Sequence, residues 1–101
     1  MSYVRFAEDG SDVYVFASNV GIECCGCPLQ KREWVEDGRP PLGGYLKAVG
    51  EIVPDTFTSN DGMIEHLERH RATGHVVPEY VFDRLRDPKD ARENRRIWAV
   101  R

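Results

Sequence analysis

Two short pairs constrain this chain more than any other feature: Cys24-x2-Cys27 and His66-x3-His70. The first lies in Gly21-Ile22-Glu23-Cys24-Cys25-Gly26-Cys27-Pro28-Leu29, which holds all three cysteines of the chain. Three is odd, so internal disulfides cannot use them all, and neighbours this close make a poor staple. A two-residue gap lets one tight turn present two thiolates to one ion. A three-residue gap puts two imidazoles one turn apart on a single helix face. Together the pairs offer the mixed sulfur and nitrogen set that zinc accepts tetrahedrally, at about 2.3 Å to sulfur and about 2.0 to 2.1 Å to nitrogen. Four protein ligands leave no position for a substrate, so the expected site is structural and no residue is assigned a catalytic role. The competing reading is two unrelated features, a thiol cluster and a histidine pair facing a core. Cys25 is the poorer thiol ligand, because pairing it with Cys27 leaves one residue between them; it reads as a buried apolar thiol or as a donor beside the site. His75 competes with His70 at a weaker spacing and is expected in the turn beyond Gly74.

A chain of 101 residues predicts one domain with a modest core, in the size range where a metal adds useful stability. Tyr3-Val4-Arg5-Phe6 and Asp12-Val13-Tyr14-Val15-Phe16 flank an Asp9-Gly10 turn and predict a β-hairpin within residues 1–21. The breaker-rich stretch around Arg39-Pro40-Pro41-Leu42-Gly43-Gly44 predicts a loop or a loosely paired insertion over 28–56. Tyr45 to Val49 and Ile52-Val53 suggest a short strand or two within it. The clearest helix follows, with Thr58 or Ser59 as N-cap, Asp61 in its first turn and Gly74 as its stop. Met63, His66, Leu67 and His70 share its inward face. Pro78 opens a second helix and Asp87-Pro88 a third, so that 76–101 forms C-terminal helices and a basic tail. The predicted fold class is α+β: a hairpin and a zinc knuckle packed on a ligand-bearing helix, with one or two helices after it.

Charge is unevenly spread. Residues 1–79 carry 7 Lys/Arg against 13 Asp/Glu, whereas residues 80–101 carry 7 against 4. The tail is therefore the expected partner-binding surface, through Arg92, Arg95, Arg96, Ile97 and Trp98, since Trp and Arg are frequent interface anchors. The alternatives are a solvated helix surface and a tail that folds back to close the core. No apolar run approaches the roughly 20 residues that cross a bilayer. The N-terminus also lacks a basic and then apolar export pattern. Both observations predict a protein of the cytoplasm or of an assembly built there, where clustered thiols bind metal more often than they form disulfides.

Ile22-x-Cys24-x2-Cys27 followed by Phe57-x5-Met63-x2-His66-x3-His70 resembles the two-cysteine, two-histidine zinc finger. Met63 stands where that finger has Leu, and 29 residues separate Cys27 from Phe57 where it has about three. The resemblance implies an elaborated finger over 22–75, a tolerable design because loop closure cost rises slowly with length. The positions with which such fingers read DNA are here Ser59, Asp61, Gly62 and Glu65. None can make the bidentate base contacts of direct readout, and Asp61 and Glu65 would repel phosphates. Nucleic acid is accordingly disfavoured as a partner, except through the arginines of the tail.

The order of elements from about residue 12 to 86 also resembles small proteins of actinobacterial tailed phages, carried by Glu23-Cys24-Cys25-Gly26-Cys27, Met63 to Arg71, and Gly74-His75-Val76-Val77-Pro78. That resemblance implies a phage protein with one structural zinc, found in the virion or the host cytoplasm. Its implied partners are other proteins, phage structural proteins foremost, with no membrane and no small-molecule substrate. The alternative it leaves open is a regulator that binds nucleic acid or a host protein during infection.

Overall fold

The computed structural model describes residues 1–99; Val100 and Arg101, the last residues of the predicted tail, lie outside the described residues. Six short strands precede three helices: β1 (Ser2–Val4), β2 (Val15–Ala17), β3 (Ile22–Cys24), β4 (Arg32–Glu36), β5 (Gly44–Ala48), β6 (Thr56–Phe57), α1 (Asn60–Thr73), α2 (Glu79–Arg86) and α3 (Pro88–Ala99). The fold is α+β, with all strand pairs antiparallel.

One four-stranded sheet runs in the order β1-β2-β3-β6. β1 and β2 form the predicted hairpin, although its strands are shorter than the apolar runs suggest and the Asp9–Gly10 turn is one turn of 3-10 helix over Glu8–Gly10. Alternation does the rest: Val15, Ala17, Ile22 and Cys24 point inward while Phe16 and Glu23 face out. β6, only two residues long, is too short to carry a sequence pattern. It pairs Ile22 with Phe57 and Glu23 with Thr56, and so returns the chain to β3 after the insertion. β3, β6 and α1 therefore stand in the strand–strand–helix order of a zinc finger, and the insertion occupies the turn between the strands.

That insertion is better ordered than a loose loop. β4 and β5 form their own two-stranded ribbon in continuous register from Arg32 opposite Ala48 to Glu36 opposite Gly44. Ile52 and Val53, expected in a strand, lie in irregular chain. Gln30 closes the ribbon's base. Its buried amide donates to the carbonyls of Lys31, Val49 and Glu51 at 3.1, 3.2 and 3.3 Å, and accepts from the Val53 N–H at 2.8 Å. The ribbon packs substantially on no other element, and the molecule is elongated, 48 × 34 × 24 Å.

α1 begins and ends as predicted. The Ser59 hydroxyl accepts from the Gly62 N–H at 3.1 Å, and the Gly74 N–H returns to the carbonyl of Arg71. Met63 and Leu67 are wholly buried on its inner face against the sheet, and Val81, Phe82 and Leu85 of α2 complete the same core. α3 is a full helix whose Asn94 and Trp98, four residues apart, both point inward. A buried polar knot ties it down: Asp90 accepts from the Tyr3 hydroxyl at 2.6 Å and from Asn60 Nδ2 at 2.9 Å, and Asn94 donates to Tyr3 and Asn60. Burial and the Asp90 bond push the Tyr3 phenol up to about 12, so it stays a donor at any physiological pH.

Of the three readings of the tail, Trp98 follows the one in which the end folds back onto the core. It is 6% exposed, packed in the chain's own core, with its indole N–H on the Ser18 carbonyl at 2.9 Å. It is thus not available as a partner anchor, because the i, i+4 face it shares with Asn94 turns into the domain. Arg92, Arg95, Arg96 and Ile97 remain on the surface, with Arg96 paired to Glu93.

Candidate metal centre

The knuckle is assembled from backbone constraints. Cys24 closes β3, where its N–H donates to the Asp55 carbonyl at 2.7 Å, and the Cys25 N–H donates to Tyr14 at 2.8 Å. Gly26 then takes the left-handed conformation, φ 57°, which reverses the chain without a side-chain clash and brings Cys27 back beside Cys24. The Cys27 carbonyl is held in turn by the Gln30 N–H at 3.1 Å and by Arg32 Nη1 at 2.9 Å. Opposite, α1 presents His66 and His70 from consecutive turns, with the Phe57 ring tilted against His66 at 5.3 Å.

The four side chains converge. The Sγ and Nε2 atoms of Cys24, Cys27, His66 and His70 all lie within 4.8 Å of one another, and all four residues are buried. His70 Nε2 stands 3.5 Å from Cys24 Sγ, 3.4 Å from Cys27 Sγ and 3.0 Å from His66 Nε2, while Cys27 Sγ is 3.4 Å from His66 Nε2. An imidazole nitrogen has one in-plane direction in which to donate or accept. His70 Nε2 therefore cannot satisfy three neighbours by hydrogen bonding, but a single cation among them satisfies all four atoms at once. Bonds of about 2.3 Å to sulfur and about 2.05 Å to nitrogen at tetrahedral angles separate sulfur from nitrogen by about 3.5 Å. These three sulfur–nitrogen distances match that value; the two nitrogens, 3.0 Å apart, stand slightly closer than the roughly 3.3 Å of the same geometry. The donor set thus fits one metal ion.

Electrostatics point the same way. Burial, then the neighbouring Cys27 and Asp55, push the Cys24 thiol well above its ordinary range. Burial, then His66 and His75, lower His70 to about 4, and burial with Arg69 lowers His66. An apolar pocket that resists both thiolate and imidazolium favours neutral groups, and a dication reverses that preference for the thiols by supplying the counter-charge in place of their protons.

Cys25 and His75 both lie outside the group of four. Cys25 is half-buried on the knuckle, and burial with Glu23 and Asp55 nearby raises its thiol. His75 sits just past Gly74, as expected of a residue beyond the helix stop, but it has a role that spacing did not reveal. Its Nδ1 is 2.8 Å from His70 Nδ1, and its N–H donates to the His70 carbonyl at 2.9 Å. With His70 Nε2 turned to the ion, His70 Nδ1 carries the proton and donates it to His75, which fixes tautomer and ring orientation. The signal available in the sequence was a third histidine at the C-cap of a ligand-bearing helix. Gln30 and Arg32, which brace the knuckle from the ribbon side, carried no such signal.

Among the four positions matched to DNA-reading residues, Ser59 is used as the helix cap and Gly62 lies against Phe57, while Asp61 and Glu65 are exposed. Among the described residues, no helix is long and apolar enough to cross a membrane. Compared with protein-family models, curated proteins and solved structures, the chain finds no match in any of the three.

Proposed function

We propose that this chain is a non-catalytic, zinc-stabilised docking protein whose ion is structural. The observation that carries the reading is the closed donor set. Two thiols and two imidazoles fill a tetrahedron, Cys24, Cys27 and His70 are wholly buried and His66 is 6% exposed, so a substrate has neither a coordination position nor a path. Zinc is favoured over other divalent ions because thiolate with imidazole in tetrahedral geometry suits it, whereas carboxylate-poor sites disfavour magnesium, calcium and manganese. An ion that links β3 to α1 across 42 positions of sequence, from Cys24 to His66, cross-links a sheet and a helix whose shared core is modest in a chain of this size.

For the biological setting, the proposal is an accessory component of a phage virion that docks on phage structural proteins through its exposed surface, Arg92, Arg95, Arg96 and Ile97 included. It rests on the likeness in element order to actinobacterial tailed-phage proteins. The second reading, a regulator that binds nucleic acid or a host protein, draws on the same exposed arginines; Asp61 and Glu65 on α1 count against nucleic acid.

Metal analysis with native mass spectrometry tests the first part: one zinc per chain, absent from His66→Ala and Cys27→Ala. A folded wild-type protein free of metal would overturn it. Cys24 and Cys27 should resist alkylation until zinc is chelated, whereas a thiol in the loaded protein that reacts at once would point to an open, reactive site. For the setting, the protein should be found at fixed stoichiometry in purified particles. Binding to DNA that falls steeply with salt and vanishes on neutralising Arg92, Arg95 and Arg96 would favour the regulator instead.

A further inference from the structure

The β4–β5 ribbon shows apolar side chains to water where an ordinary surface hairpin would not. Trp34 is 49% exposed, Leu46 63% and Tyr45 47%, and among the described residues no helix or other strand packs substantially on the ribbon. Trp34 and Leu46 are register partners on one face, and Trp34 lies flat over Gly44, where a Cβ would come within 2.8 Å of its ring. A two-stranded ribbon alone is marginally stable in water, and each of its strands has one open edge.

Which groups of β4 face that open edge follows from the ladder. The bonded positions at its two ends are Lys31 with Val49, where the Val49 N–H donates to Lys31, and Asp37 with Gly43, where the Asp37 N–H donates to Gly43. Both pairs keep the register of the ribbon. Bonded and non-bonded pairs alternate in an antiparallel ladder, so Glu33 and Val35 bond to β5, while Arg32, Trp34 and Glu36 turn their N–H and C=O groups outward.

We propose that β4 pairs antiparallel with β4 of a second copy of this chain, about a two-fold axis at Trp34, to make a four-stranded sheet in the order β5-β4-β4-β5. In that register Trp34 faces the partner's Trp34, Arg32 faces the partner's Glu36, and Glu36 faces the partner's Arg32. The three outward residues of each strand then meet the three of the other at bonded positions, which satisfies their free backbone groups. Arg-Glu-Trp-Val-Glu is charge-complementary to itself only when reversed about its centre, as a closed two-fold contact requires. Side chains of residues directly opposite each other lie alongside, whether bonded or not, so Leu46, Trp34 and their two counterparts form one apolar stripe across the sheet. Arg32 Nη1 is already bonded to the carbonyls of Cys27 and Gln30 at 2.9 and 3.3 Å, leaving Nε and Nη2 for the partner's carboxylate. Among the described residues the Glu36 carboxylate makes no hydrogen bond or ion pair of its own. The inference stands whichever ion fills the metal centre.

The contact is short, so the dimer is weak and is measured by sedimentation equilibrium of the metal-loaded full chain over a wide concentration range. The expected result is a monomer–dimer equilibrium weakened at least about tenfold in Glu36→Arg, which sets Arg32 against an arginine. Arg32→Glu does the same with two carboxylates. Mixed in equal amounts, these two variants recover dimerisation as a heterodimer, because each supplies the charge the other lacks; the Arg32→Glu/Glu36→Arg double variant recovers it alone. Circular dichroism and metal content, unchanged in Glu36→Arg, show that loss of the dimer is not loss of fold. A wild-type chain that stays monomeric throughout, a dimer indifferent to Glu36→Arg, or a mixture no tighter than its components would each overturn the proposal.

Discussion

The described residues form two antiparallel sheets, one of two- and three-residue strands and one of five-residue strands, held by opposite means. In the β1-β2-β3-β6 sheet, alternate residues are buried under three helices, and the ion site cross-links β3 to α1. The β4–β5 ribbon has five residue pairs in unbroken register yet buries almost none of their side chains, and it is held at its base, through Gln30 and Arg32. Hydrogen-bond ladders are common to both, so the ladders cannot be what distinguishes a stable body from an appendage. What differs is the burial and the cross-link beneath the ladder, in keeping with the small net worth of a single backbone bond against water.

Removing the metal should break this comparison most severely. Structural zinc supplies about 10 kcal/mol or more of apparent folding free energy in finger peptides, comparable to the whole stability of a small domain. Chelation, or Cys27→Ser, is expected to unfold β3, β6 and α1, seen as loss of helical circular dichroism; deleting residues 33–47 and joining the ribbon's base with a short turn should leave metal content unchanged. Acid reaches the same end gradually. His70 is held down at about 4 in the metal-free site, so the unfolded chain, with a histidine near 6.5, binds the proton more readily. Stability therefore falls as pH drops from about 6.5 towards 4, and protons compete with the ion for its thiolates over the same range. A denaturation midpoint that stays flat across that window would contradict the site.

The two tryptophans supply the next contrast. Trp98→Ala removes a buried ring and its bond to Ser18 and should cost about 3 to 5 kcal/mol. Trp34→Ala, at concentrations where the chain is monomeric, should cost less than about 1 kcal/mol, because the ring is half in water. Urea denaturation of both variants measures the pair, and equal losses would mean that the ribbon packs on the body after all.

The same division decided what could be read from the sequence. α1, its cap at Ser59, its stop at Gly74 and the pairing of Cys24 and Cys27 with His66 and His70 were legible because each depends on a short-range rule: helical period, capping chemistry, ligand spacing. The α+β class followed from the same signals. β4 was not legible, since a strand with both faces exposed shows no apolar alternation. β6 was not, since two residues carry no pattern and their pairing with Ile22 and Glu23 is fixed by the return of the insertion. Trp98 has the composition of an interface anchor, Trp among arginines, and only its spacing of four from Asn94 marks an inward face. The outer role of His75 depends on where the chain turns after Gly74, which is a tertiary fact.

Gln30 is where the two regions are joined, and its truncation should separate them without unfolding either. Gln30→Ala strips the bonds to Lys31, Val49 and Glu51 and leaves the buried Val53 N–H without its partner, a loss of about 2 to 3 kcal/mol. Hydrogen exchange should quicken in β4 and β5 while α1 stays protected. If exchange quickens equally in α1, the clasp belongs to the metal body and the ribbon is not a separate unit.

The smallest effect is expected at His75, which touches the ion only through His70. His75→Ala removes the acceptor for His70 Nδ1–H, so the imidazole loses its fixed tautomer and part of its basicity. Losses at such outer positions run to about 10–100-fold in metal affinity, and since His75 is only half-buried, water can replace it and the lower end applies: about tenfold, or about 1.4 kcal/mol. Competition with a zinc chelator measures it directly. His75→Gln keeps a carbonyl oxygen able to accept the same proton and should recover part of the affinity. If alanine and glutamine bind zinc as tightly as the wild type, the contact between His70 and His75 merely fills space at the helix end. If glutamine rescues, the metal site extends one residue past the helix that carries it.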